Sequence, residues 1–270
     1  MLIREVALKH WMDYFYGYGS WEAKTWFVTF EESGGDLPED VAERINYFAK
    51  IHPQQRPSLC NIRELYQQVG ARLDGPRAKK FPTLYDHRFG AQAVTHGGWK
   101  NLIAFSFGFR NKKLPDVAGY QEKSFVQPAE KNEALITLYP LPAPHNHAWY
   151  YSWLDIPQFS FLKSRKVYQD TLFDQRVETI FKNIDTHKPE VVVMFGMNAI
   201  ISLKKKVLEF FPNASFKTFK GVKLYTPQFH LADLGKTKLI ITTQVPTLRH
   251  NRIETGYDWH AFGKLVSGTD

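Results

Sequence analysis

The chain has 270 residues, 43% of them hydrophobic and 15% aromatic, which is enough apolar material for an ample core and excludes a disordered polymer. Its single cysteine, Cys60, excludes an internal disulfide framework and any multi-cysteine zinc or iron–sulfur site. A formal charge of +8 with a pI near 9.3 favours a polyanionic partner, of which nucleic acid is the commonest.

The length fits one large domain or two small ones. The opening residues, Met1 to Glu5, show no signal-peptide apolar region, and no run approaches the ~18 apolar residues of a membrane span. A soluble, cytoplasmic protein with no membrane partner is therefore expected.

In chain order, residues 5–16 carry Val6, Leu8, Trp11, Tyr14 and Phe15 at helical spacing, and Gly17-Tyr18-Gly19-Ser20 breaks that helix. A strand follows at 25–31, then an amphipathic helix at 39–51 with Val41, Ile45, Phe48 and Ala49 on one face, stopped by His52-Pro53. The stretch 52–132 is rich in Pro, Gly, Lys and Arg and reads as an irregular elaboration with short helices at Ile62–Val69 and Gly98–Phe107. Strand and helix then alternate clearly. Ala134–Tyr139 is a strand that stops at Pro140-Leu141-Pro142, and Leu162–Asn183 is a long helix. Val191–Gly196 is a continuous apolar run, as in a strand covered on both faces, and is followed by a helix through Leu208. Lys238–Thr243 is the last strand, and an amphipathic helix closes the chain. Four βα-like units predict an α/β fold: a three-layer sandwich with a mostly parallel central sheet flanked by helices, built as one domain over 1–270.

The chemistry is most legible at Trp26–Gly35. An apolar strand ends in Glu31-Glu32, then Gly34-Gly35, and Asp36–Asp40 opens a helix. A carboxylate is thus expected at the carboxyl end of a buried strand, where open α/β sheets site their ligands. The glycines would let backbone N–H groups approach a ligand closely, and the helix start suits an anion. The bland alternative is a polar turn after a core strand. Neighbours on an extended chain point to opposite faces, so one Glu would face a substrate while the other binds backbone or caps the helix.

Taken together, these segments resemble the uracil-DNA glycosylase superfamily over roughly residues 15–265. The first strand with its acidic end is similar to that family's water-activating motif. Val191–Gly196 with Asn198-Ala199 is similar to its strand–Gly–x–x–Ala–helix element. Leu138–Pro142 is similar to its base-reading strand, and Gln244-Val245-Pro246-Thr247-Leu248-Arg249 sits where the family has its loop after the last strand. The resemblance implies a monomeric, metal-free and cofactor-free DNA glycosylase. Such an enzyme flips a base out of DNA and hydrolyses its N-glycosidic bond to leave an abasic site. The chain departs from the family in having Glu31-Glu32 in place of Asp or Asn before proline, Gln244 where the catalytic histidine would fall, and no Asn closing the base-reading strand. These departures speak against ordinary uracil repair. They direct the expectation to a modified base, such as the glucosylated hydroxymethylcytosine of phage DNA, removed as antiviral defence.

The roles then fall as follows. Glu31, or failing that Glu32, activates water and stabilises the cationic sugar. Gln244, His250 or Arg249 donates to the leaving base. Phe30, Tyr139, Asn146 and the backbone at Gly34 and Gly35 hold the extruded base. Leu248 wedges into the duplex while Arg249 and Arg252 hold phosphates. Each has a plain alternative: a surface histidine, a core leucine or aromatic, a solvated arginine. His145-x-His147 is half a metal site without a third ligand, so no metal is expected. Two other readings are a DNA-binding module that kept the fold and lost the chemistry, and an α/β enzyme acting on free nucleosides.

Overall fold

The computed structural model describes residues 3–33, 38–70, 72–73, 78–143, 148–247 and 256–268. The first helix, α1 (Glu5–Tyr14), is shorter than its apolar spacing suggests, because the chain turns directly into strand β1 (Phe15–Tyr18). Gly17 makes that possible. It has φ +128°, and a Cβ there would lie 2.1 Å from the Leu135 carbonyl oxygen of the neighbouring strand. No other residue fits so close an approach. Then come β2 (Thr25–Ser33), α2 (Pro38–Ile51), β3 (Ser58–Cys60), α3 (Ile62–Val69), α4 (Leu84–Phe89), α5 (Gly97–Phe109) and α6 (Val117–Lys123). The stretch 52–132 is therefore more regular than its composition suggests. It supplies a strand of the sheet and a helix of the core.

The remaining elements are β4 (Glu133–Ala143), α7 (Arg165–His187), β5 (Val191–Phe195), α8 (Ile200–Phe210), β6 (Phe216–Phe219), β7 (Phe229–Asp233), β8 (Lys238–Ile241) and α9 (Trp259–Ser267). All the strands join one sheet in the order β3-β1-β4-β2-β5-β8-β7-β6. Its centre, β4-β2-β5-β8, is parallel. The expectation of a mostly parallel sheet needs correcting at the edges. There β1 runs antiparallel to β4, β7 to β8, and β6 to β7, so the sheet is mixed. The short, partly exposed strands β6 and β7 carry polar residues among their apolar ones, Lys217 and Thr218 in β6 and His230 and Asp233 in β7, which is why they do not stand out as strands in the sequence.

The core follows from the apolar runs. Trp26, Phe27 and Val28 of β2 and the whole of β5 are buried. Phe105 of α5 stands edge-on to Phe27 at 6.0 Å and to Phe262 of α9 at 5.2 Å. Trp11 of α1 stacks on Phe15 at 3.7 Å and meets Phe48 of α2.

Strand β4 does not stop at Pro140. It continues, buried, to Ala143. Its register against β2 slips there, from Glu31 opposite Tyr139 to Ser33 opposite Ala143. The backbone groups that leave the ladder are taken up by side chains. Trp11 donates to the Pro140 carbonyl at 2.8 Å, the Leu141 N–H donates to the Tyr168 hydroxyl at 3.0 Å, and Tyr151 donates to the Pro142 carbonyl at 3.0 Å. Proline, which has no N–H to offer a ladder, is tolerated because the ladder is interrupted between Tyr139 and Ala143. From α7, the buried Arg176 donates to the carbonyls of Thr137, Leu138 and Phe15, fastening β1 to β4. Cys60 is buried on the edge strand β3, and burial pushes its thiol pKa up. Among the described residues, no helix is long and apolar enough to cross a membrane.

Candidate active site

Strand β2 outruns its neighbour β5. Their ladder ends at Thr29 opposite Phe195, whereas β2 stays paired to β4 as far as Ser33. Glu31 and Glu32 therefore stand beyond the end of β5. From β2 the chain goes on to β3, on one side of the sheet, and from β5 it goes on to β6, on the other. This reversal is the point at which open α/β sheets accept ligands.

The two carboxylates part company. Glu31, with 6% of its side chain exposed, is held by α7: Arg165 forms an ion pair with it and Gln169 donates at 2.7 Å. Arg165 in turn lies 5.8 Å from the ring centre of Trp149, whose indole N–H donates to the Leu162 carbonyl. Both partners sit in the first turns of α7, which is capped by Ser164, so the positive end of the helix also faces the carboxylate.

Glu32 goes to β1, α2 and α3. It accepts from Arg44 at 2.7 Å, Tyr18 at 2.9 Å and Tyr66 at 3.2 Å. Arg44 is itself buried, between the rings of Trp11 and Tyr66. The expectation that the second Glu binds backbone or caps the following helix is replaced by this buried ion pair with that helix. Burial and the adjacent Glu32 carboxylate push the Tyr66 hydroxyl pKa up. Burial does the same at Tyr18, where Arg44 works against it. Both phenols remain neutral donors.

Around Glu31, Tyr139 lies directly opposite in the β4 register, and Phe30 packs edge-on to its ring at 5.0 Å. Burial, followed by the charges of Asp170 and Glu31, raises the Tyr139 pKa and keeps its phenol protonated. The exits of β5 and β8 are laced together. Gly196, at φ +67°, turns the chain out of β5 and donates to the Gln244 carbonyl at 3.1 Å, and Met197 donates to Thr242. The Gln244 side-chain amide donates to the next carbonyl, Val245, at 3.1 Å. Of the three donors expected at the leaving base, Gln244 is the one that lies among the described residues, and this bond ties it to its own loop.

The structure also brings His96 to this edge, a residue the sequence reading did not single out. Its ring Nδ1 accepts the Trp99 N–H at 3.1 Å as the N-cap of α5. A Cβ on Gly98 would fall between the His96 ring and Thr247, and Asn101 donates to the Pro246 carbonyl at 2.6 Å. The start of α5 is thus pinned to the loop after β8. Burial, then the charges of Arg88 and His87, depress the His96 pKa to about 4, so the ring is neutral. The available signal was a polar residue followed by Gly97-Gly98 ahead of an apolar helix, a start pattern of the kind described for N-caps.

Of the other expected site residues, Gly34, Gly35, Asn146, Leu248, Arg249, His250 and Arg252 lie outside the described residues, as do His145 and His147. Glu31, Phe30 and Tyr139 do come together. No protein-family model, no curated protein and no solved structure matches the chain.

Proposed function

We propose that the protein is a monomeric DNA glycosylase, a divergent relative of the uracil-DNA glycosylase superfamily with a three-layer sandwich built on the parallel centre of its sheet. In this reading it extrudes a modified base and hydrolyses its glycosidic bond, in the service of antiviral defence in the cytoplasm. The observation that carries the reading is Glu31: a nearly buried carboxylate at the carboxyl end of the central strand, held by Arg165 and Gln169 and flanked by the Phe30–Tyr139 pair. Hydrogen bonds from those two side chains occupy three of the roughly four acceptor directions of the carboxylate, leaving one for a water molecule. That water attacks the sugar C1′ as the C–N bond breaks. Its proton passes to Glu31, and the base leaves with the electron pair. The carboxylate also stabilises the cationic sugar on the way. The neighbouring aromatic rings offer the faces on which an extruded base stacks.

The test is abasic-site formation on DNA containing uracil, hypoxanthine, hydroxymethylcytosine or glucosylated hydroxymethylcytosine. Glu31→Gln is expected to slow product formation at least ~100-fold, with a smaller loss of stability than Glu32→Gln because Arg165 is more exposed than Arg44. Glu32→Gln, which leaves Arg44 buried without its counter-charge, is expected to cost ~3–5 kcal/mol of stability. No abasic product from the wild-type protein on any of these substrates would overturn the reading.

One observation favours a second reading, a DNA-binding module without catalysis: each carboxylate already has an arginine partner. In that case DNA affinity survives Glu31→Gln and no substrate yields product.

A further inference from the structure

The basic charge is unevenly distributed. Residues 199–225 hold six lysines, Lys204, Lys205, Lys206, Lys217, Lys220 and Lys223, against one carboxylate, Glu209: a net +5 of the chain's +8. Lys205 and Lys206 are partnered by Glu209, and Lys206 also by Asp174. Lys217, Lys220 and Lys223 are exposed and form no ion pair with any described residue. Lys204 lies 5.0 Å from the ring centre of Phe216 at the start of β6.

These lysines share a place in the fold. Strand β6 is antiparallel to β7, and β7 is antiparallel to β8, so β6 points the same way as the parallel centre. Its carboxyl end, and the hairpin tip that follows, therefore project from the edge that carries Glu31. The tip is braced to the start of α9, where the Asp258 backbone N–H donates to the Tyr225 carbonyl at 3.1 Å. It is also strained. Leu224 sits at φ +60° in a turn closed by Tyr225 N–H to the Val222 carbonyl, a position usual for glycine. Val222 and Leu224 remain about half exposed there.

We infer that the β6 strand and its hairpin tip form a phosphate-tracking surface for duplex DNA, with Lys217, Lys220 and Lys223 as its contacts. It rests on the reading that the chain acts on DNA. Lys217 lies on β6, Lys220 just past its end and Lys223 in the turn at the tip, so the three carry exposed positive charge along the edge strand and out to the hairpin tip. From β2 to β6 is four strand spacings, ~19 Å, or five to six base pairs at ~3.4 Å each. A duplex with one base engaged at Glu31 thus reaches the lysines without bending.

The experiment is DNA binding by fluorescence anisotropy, using a fluorescein-labelled duplex between ~50 and ~200 mM salt. It compares the wild type, the triple variant K217Q/K220Q/K223Q, and a control triple K24Q/K182Q/K188Q. The control removes the same charge from exposed lysines just before β2 and at the end of α7, by the amino ends of β2 and β5 and so at the opposite edge of the sheet from Glu31. Each lost phosphate contact makes the slope of log affinity against log salt shallower by ~0.9. The hairpin triple is expected to be shallower by about 2.7 and the control to match the wild type. Equal changes in both triples, no change in the hairpin triple, or wild-type binding to phosphatidylserine vesicles but not to DNA overturns the inference. Abasic product is measured on the same samples. A slope change without product keeps this surface and removes the glycosylase, whereas product with an unchanged slope does the reverse.

Discussion

A histidine that caps a helix through its ring nitrogen is tied to one protonation state. His96 accepts the Trp99 N–H only while its Nδ1 is unprotonated, and its surroundings, burial first and then Arg88 and His87, hold its pKa at about 4 against an ordinary 6.5. The unfolded chain takes up a proton near the higher value and the folded chain only near the lower one. The stability His96 contributes is therefore complete above pH 6.5 and is lost as the pH falls toward 4. The loss amounts to up to ~3 kcal/mol. Asparagine can cap the same helix without titrating. Urea unfolding of His96→Asn across this range should give a flatter pH profile than the wild type, with stability near neutrality preserved. Parallel profiles for the two proteins would mean that other groups set the acid limb.

Among the elements, α5 and α9 make the closest approach. A Cβ on Gly108 would stand 1.9 Å from the His260 carbonyl oxygen, and one on Gly263 would stand 2.2 Å from that of Phe105. Gly108→Ala must push the helices apart, and is expected to cost at least ~2 kcal/mol in chemical denaturation. Gly97→Ala, at the start of the same helix with open space around it, should be neutral or stabilising by up to ~1 kcal/mol. The contrast explains what could be read in advance. Helix α3 and strand β5 were legible because their patterns are local: an 8-residue amphipathic run and a continuous apolar run. The end of α1 was not, because the turn into β1 depends on a contact with Leu135, far along the chain. Nor did the prolines end β4, since Trp11, Tyr151 and Tyr168 satisfy the backbone there. The site was half legible for the same reason. Adjacent glutamates at a strand end can be seen in the sequence, but Arg165, 134 residues away, and the His96 cap are assembled only by the fold.

On the scale of the whole molecule, stability should fall from the sheet's centre to its margins. Strands β2 and β5 are paired on both sides, whereas among the described residues β6 pairs only with β7 and β3 only with β1. Native-state hydrogen exchange should find the amides of Phe27 and Val193 opening only with global unfolding. Those of β6 should exchange at least ~100-fold faster through local opening. Uniform protection across the sheet would contradict this gradient. At the other margin lies Cys60, whose buried thiol has its pKa pushed up. The native protein therefore presents almost no thiolate to a maleimide or disulfide reagent. A cysteine introduced at the exposed hairpin tip would take a dye or spin label alone, against a silent background, with no need to remove the natural one. The slow labelling of Cys60 itself becomes a clock, ticking only when the β1–β3 margin of the sheet comes undone.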